Sequence, residues 1–399
     1  MAMAPGESPV ADVLLLPSGE SAPQWTTGHI IVLDGLRGIA VLGVMFYHFL
    51  GVAQTCSGWA AYVQKAASWG WCGVDLFFVL SGFLITGILL DARGSRNYFK
   101  SFYVRRVLRI FPLYYGVLLA VAIAMRMPAV SRFFGFEDIR ASLWWMSAYL
   151  GSFVLTARHD KNMFGPIGHF WSLAVEEHFY IVWPAIVWAC TRRRLTVACL
   201  AFAAMALISR CVLVLKAGAN EAPYMLTPCR VDGLALGALL ALIVRSKLQV
   251  NLVRQWAWVL GAASAAALVG VGLKRGGFNH YGRTMNMAGF TLLAVAFTAA
   301  IALLISARPA SRIRKALETP ALLSVGRYSF AMYVLHQTCA RPFKEYLFPA
   351  DKLGDLLHSA NLGILTYALL AAGATYLLAL GSWHLYEKHF LRLKKLFPY

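Results

Sequence analysis

From about residue 30 onward, the chain alternates between apolar runs of about 20 residues and shorter polar links. A helix rises about 1.5 Å per residue, so such a run matches the roughly 30 Å hydrocarbon core of a bilayer. Runs of this kind fall near 30–51, 71–91, 109–126, 169–190, 195–215, 227–245, 254–273, 285–306, 321–342 and 361–386. They predict an all-α polytopic membrane protein with about ten spanning helices. An eleventh stretch, 141–156, is shorter and carries Trp144, Trp145 and Tyr149, residue types that favour the membrane interface. It is expected to be a partly inserted helix in a long outer segment.

The charges between the runs orient the bundle. With ten crossings and both ends cytoplasmic, the inner links hold 20 Lys and Arg and the outer links 13. If 141–156 also crossed, the link containing Arg93, Arg96, Lys100, Arg105, Arg106 and Arg109 would move outside, against the positive-inside rule. Residues 1–28 contain three acids, no Lys or Arg, and several Pro, Gly and Ser. They read as a mobile leader without the basic start of a signal peptide. One integral-membrane domain is expected over 29–390, with a basic cytoplasmic tail over 391–399. The expected location is the plasma membrane, the inner membrane of a bacterium.

Composition narrows the class. Apolar residues make up 59% and charged residues only 14%, against roughly a quarter in an average soluble protein. This excludes a disordered chain, a disulfide-stapled mini-protein and an ordinary cytosolic enzyme. The net charge of +19 sits in clusters between apolar runs, so it speaks for a membrane surface and against nucleic acid. The seven cysteines have no C-x-x-C spacing, and the histidines have no zinc-ligand spacing, so no metal is expected.

Ionisable groups inside spanning helices are costly, which makes each a functional candidate. In LDGLRGIAVLGVMFYHF, Arg37 and His48 are eleven residues apart. At about 100° per residue they fall on one helix stripe, separated by about 16 Å of rise. In GVDLFFVLSGFLIT, Asp75 is expected at the depth of His48, where a carboxylate could orient an imidazole. In RRVLRIFPLYY, Arg105 and Arg109 are spaced i, i+4 for one face, with Arg106 beside them at the inner membrane surface. In HFWSLAVEEHFYIVWP, Ser172 and Glu176 share a face, and Glu176 sits about two turns into the membrane. Arg230 and Asp232 open another helix in TPCRVDGLALGALLAL, and Tyr333 and His336 close one in GRYSFAMYVLH.

Together these segments resemble the membrane-bound acyltransferase 3 family. The resemblance rests on Arg37-x10-His48, on Gly73–Ile85, on R-x-x-R-I-x-P-x-Y at Arg106–Tyr114, and on W-S-L-x-x-E-x-x-F-Y at Trp171–Tyr180. It continues through R-x-D-x-L-x-x-G at Arg230–Gly237, Y-S-x-x-x-Y-x-x-H at Tyr328–His336, and S-x-x-x-Y-E at Ser382–Glu387. Each motif alone is weak, but seven in order are specific.

The resemblance implies transfer of an acyl group, often acetyl, from acyl-CoA to a hydroxyl. It also implies His48 as catalytic base and Arg37 as a donor contact. Implied acceptors are a glycan, a lipid-linked sugar or a macrolide. Coenzyme A is anionic and cytosolic, which places Arg37, Arg105, Arg106 and Arg109 on the correct side to hold acetyl-CoA. An alcohol attacking a thioester needs a base near neutral pKa, the role expected of His48 with Asp75 or Glu176 as partner. Ser172, Arg230, Asp232, Tyr333 and His336 are the candidate substrate contacts. No permanently bound cofactor is expected. The alternative is a secondary transporter using the same buried groups, although the matching interrupted spans typical of such folds are not seen.

Overall fold

The computed structural model describes residues 29–51, 56–137, 139–158, 164–218, 220–246, 249–274 and 279–399. The expected leader, 1–28, lies outside the described residues. Among the described residues ten long helices stand at the ten expected runs, the third beginning earlier than expected, at Tyr98. They are α1 (Ile31–Gly51), α2 (Gly73–Asp91), α3 (Tyr98–Ala124), α4 (Trp171–Ala189) and α5 (Arg192–Ala217). They continue with α6 (Thr227–Val244), α7 (Val250–Lys274), α8 (Phe290–Ile305), α9 (Pro320–Thr338) and α10 (Ala360–Ser382). No strand occurs among the described residues.

Eight of these helices are long and apolar enough to cross a bilayer, so the chain is a multi-pass membrane protein. The two that fall short of that apolarity are α4 and α9, each 19 residues long. Their polar content has a reason: they carry Ser172, Glu176, Glu177, Ser329, Tyr333 and His336, all close to the site described below.

Close helix contact depends on small residues, because nothing but packing and hydrogen bonding draws apolar helices together within lipid. A Cβ on Gly82 of α2 would lie 1.9 Å from Leu234 O of α6, and one on Gly237 would lie 2.1 Å from Val79 O. The same device joins α1 to α9, where a Cβ on Gly326 would meet Asp34 O at 1.9 Å. These contacts bring α1, α2, α6 and α9 into the centre, while α5 and α7 keep apolar side chains such as Leu200, Ile208, Trp256 and Trp258 exposed on the outside.

The aromatic stretch 141–156 does not form a single helix. It divides into Arg140–Ser147 and Gly151–Arg158, and between them Tyr149 adopts a left-handed backbone with φ 58°. Packing holds this bend in place: the Tyr149 ring stacks on Tyr114 at 4.6 Å, and Tyr114 Oη donates to Met146 O at 2.6 Å.

Candidate active site

His48 lies in the last turn of α1 and is half-buried. Its Nδ1 is 3.0 Å from Val44 O and 3.1 Å from Nε2 of His336 on α9. His336 is fully buried, and its Nδ1 lies 2.6 Å from Tyr333 O. A carbonyl only accepts, so in the neutral ring His336 carries its proton on Nδ1, leaving Nε2 bare. The shared proton therefore sits on His48 Nδ1, between Val44 O and His336 Nε2. Among the described residues His48 Nε2 has no hydrogen-bond partner and is left as a free lone pair. A third imidazole, His169, packs 4.8 Å from His336, and its Nε2 donates to Val334 O at 3.2 Å.

Asp75 is not the partner of His48. Its Oδ1 accepts from Arg230 at 2.7 Å, and both side chains are buried. Helical phase explains the difference. Asp75 and Gly82 are seven residues apart, about 20° short of two full turns, so they face the same neighbour. That neighbour is α6, where Arg230, Gly233 and Gly237 repeat at the matching spacing. Equal depth was readable from the sequence, but azimuth was not.

Arg230 and Asp232 are likewise tied up in the helix interface. Asp232 accepts from Arg210 of α5 and from Thr291 of α8, each at 2.8 Å. The Arg230 guanidinium lies 3.8 Å above the Phe290 ring. Two buried Arg–Asp pairs thus knit α2, α5, α6 and α8, and none of the four side chains lines the cavity described below. Arg210 went unnoticed in the sequence because the run 195–215 is otherwise apolar. An Arg in mid-span was the available signal.

Between α1, α2, α3, α4 and α9 runs a cavity of about 300 Å³. Along α2 its lining extends from Val74 to Ile88, about 21 Å of helical rise. Arg37, Arg106, Arg109 and Lys394 all line it. Among the described residues, none of these four forms an ion pair with a carboxylate. Arg106 Nε is buried without a partner among the described residues. Glu176 and Glu177 line the same cavity, so four cations face two carboxylates there.

Arg105 does not line this cavity. Its Nη1 donates to Phe397 O at 3.1 Å, and its guanidinium covers the Tyr399 ring at 5.2 Å. The helix begins at Tyr98, not near 109, so these arginines lie within regular helix and phase selects Arg106 with Arg109. Lys394 was counted in the sequence only as one more inner cation; no local pattern marked it for the cavity.

Glu176 and Ser172 both line the cavity, as their shared face required. Glu176 Oε2 accepts from Tyr180 Oη at 2.6 Å and from Ser81 Oγ at 3.3 Å, so it too has a partner other than His48. The hydroxyls of Ser172 and Tyr333 are 2.5 Å apart, and Tyr333 Oη donates to His169 O at 3.0 Å. Tyr333 thereby joins the two halves of the site: its ring lines the cavity, and its backbone carbonyl sets the tautomer of His336. Among the described residues no cluster of His, Cys, Asp and Glu suits a metal ion.

These features agree with what the chain resembles. The acyltransferase-domain model of the acyltransferase 3 family matches residues 30–383, and the chain belongs to that family. It is 28% identical over 314 residues to "Putative O-acetyltransferase SACOL0978" of Staphylococcus aureus (strain COL), covering 76% of this chain and 49% of that protein. It is 27% identical over 336 residues to the peptidoglycan O-acetyltransferase OatA of Listeria monocytogenes, covering 78% and 50%. "Putative peptidoglycan O-acetyltransferase YrhL" of Bacillus subtilis is 28% identical over 379 residues, covering 89% and 54%. The chain thus spans about half the length of these curated relatives. No solved structure matches it significantly.

Proposed function

We propose that the protein is an integral-membrane O-acyltransferase that moves an acetyl group from acetyl-CoA to a hydroxyl of a glycan at the bacterial cell membrane. The observation carrying this reading is the fixed tautomer of His48, which shares an α1 stripe with Arg37, itself one of the cavity cations together with Arg106, Arg109 and Lys394. Arg37, Arg106 and Arg109 would hold the donor phosphates, and the cavity would carry the pantetheine arm toward Tyr333. Ten crossings with both ends cytoplasmic would put those cations on the side where coenzyme A is found.

In this reading His48 Nε2 takes the proton of the acceptor hydroxyl as its oxygen attacks the thioester carbonyl. The tetrahedral intermediate collapses, the C–S bond breaks, and the departing thiolate of coenzyme A takes the proton back from His48. The products are the ester and free coenzyme A, so no covalent enzyme intermediate is needed. His336 accepts the Nδ1 hydrogen bond of His48 throughout and keeps Nε2 available. The peptidoglycan O-acetyltransferase names among the relatives support a glycan as the acceptor class. Lipid-linked sugars and macrolides are the other hydroxyl-bearing acceptors to assay.

The transporter alternative uses the same buried groups, but family membership speaks against it, and the Arg–Asp pairs it would use are already closed on each other. The test is to reconstitute purified protein with acetyl-labelled acetyl-CoA and bacterial glycan fragments. Time-dependent release of free coenzyme A with label on the glycan is expected. Flux of a solute with no thioester consumption would overturn the reading.

A further inference from the structure

Past α10 the chain makes a π-helical turn at Trp383–Glu387, a short helix at Lys388–Arg392 and a 3-10 turn at Leu393–Leu396. It then lies back along α3. Ser101 Oγ donates to Pro398 O at 2.6 Å, and Arg105 Nη1 donates to Phe397 O. The Lys100 ammonium lies 5.9 Å from the Phe397 ring, and the Arg105 guanidinium covers Tyr399. This docking brings Lys394 to the cavity wall beside Arg37, Arg106 and Arg109, while Arg105 stays off it.

The four cations repel one another; Glu176 and Glu177 line the same cavity without an ion pair to them, Asp34 and Glu387 also act on Arg109, and Glu387 accepts from Ser382 Oγ at 3.0 Å. The excess of positive charge that remains favours a bound polyanion. We propose that the segment Leu393–Tyr399 is a strap of the donor site. Lys394 is its fourth phosphate-binding cation, and Arg105 is a positioning residue that fastens the strap from outside the cavity. This rests on the reading of the cavity as an acyl-CoA site and adds to it a binding residue and a means of controlling donor affinity. Any partner that lifted the strap from α3 would lower affinity for the donor without touching His48.

The experiment uses the full chain in lipid nanodiscs. It measures the KM for acetyl-CoA and the Kd for adenosine 3′,5′-bisphosphate, the phosphate-bearing portion of the donor. Losing one charge-assisted contact predicts about a tenfold rise in both for Lys394→Ala. Arg105→Ala should raise both in the same direction although Arg105 does not line the cavity, and Arg105→Lys should recover part of the loss. The double variant should be no worse than Lys394→Ala alone, since the two act as one unit. Parental values in Arg105→Ala, or fully multiplicative losses in the double variant, would overturn the strap while leaving the donor site standing. If the parent protein binds neither acetyl-CoA nor the bisphosphate, the donor reading itself falls, and the strap with it.

Discussion

Nε2 of His336 lies 3.1 Å from Nδ1 of His48, joining α9 to α1 across 288 positions of sequence. Because Tyr333 O holds the other nitrogen of His336 at 2.6 Å, this contact admits one direction of hydrogen bonding in the neutral pair. The second imidazole does what a carboxylate does in many catalytic pairs: it fixes which nitrogen of the first is free. Being neutral, it stabilises the imidazolium less than an aspartate would.

His336 should therefore matter for rate more than for binding. His336→Ala leaves the Val44 carbonyl as the sole acceptor for His48 Nδ1–H and frees the ring to turn. Transfer should fall by about 10-fold or more, with the KM for acetyl-CoA little changed. His336→Gln, whose side-chain oxygen can accept from Nδ1–H, should recover part of the rate. Steady-state kinetics on the two variants check this, and equal losses in both would show that acceptance of that proton is not the role of His336.

Asp75 and Arg230 should behave as structure. Removing one partner of a buried ion pair strands the other charge, at a cost of about 3–5 kcal/mol. Asp75→Asn should unfold at clearly lower temperature in detergent, with the remaining folded fraction retaining its turnover. The double change Asp75→Leu with Arg230→Met should be milder than either single change. A normal melting temperature combined with lost turnover in Asp75→Asn would return Asp75 to the chemistry.

Arg37 should act on the donor. Losing a charge-assisted phosphate contact costs about 1.5–3 kcal/mol, or roughly 10- to 150-fold in affinity. Arg37→Ala should raise the KM for acetyl-CoA by that order, and Arg37→Lys should keep part of the function as a point charge. Isothermal titration with coenzyme A measures the loss directly. Unchanged affinity would remove Arg37 from donor binding.

The fold was legible wherever a local pattern carried it. Ten apolar runs became ten helices because length and apolarity are properties of each segment alone. Arg37 and His48 could be aligned from spacing because they share one helix. What could not be read was which face of one helix meets which face of another. Asp75 pairs with Arg230 because the glycines of α2 and α6 press those faces together, and nothing near Asp75 in sequence encodes that. His336 was placed at the outer end of its span, but its meeting with His48 depends on the close α1–α9 contact at Gly326. Lys394 was hidden for a different reason: a short basic segment past the last helix reads as a solvated tail until its carbonyls are seen to accept from Ser101 and Arg105.

The central claim is that the free Nε2 of His48 is the base that activates the acceptor hydroxyl. The most direct measurement is the transfer rate of His48→Ala at saturating acetyl-CoA, taken beside its Kd for coenzyme A. Loss of a general base predicts a fall of about 10²–10⁴ in rate, with the Kd unchanged because His48 does not line the cationic cavity. Transfer within a few-fold of the parent, at the same Kd, would contradict the account.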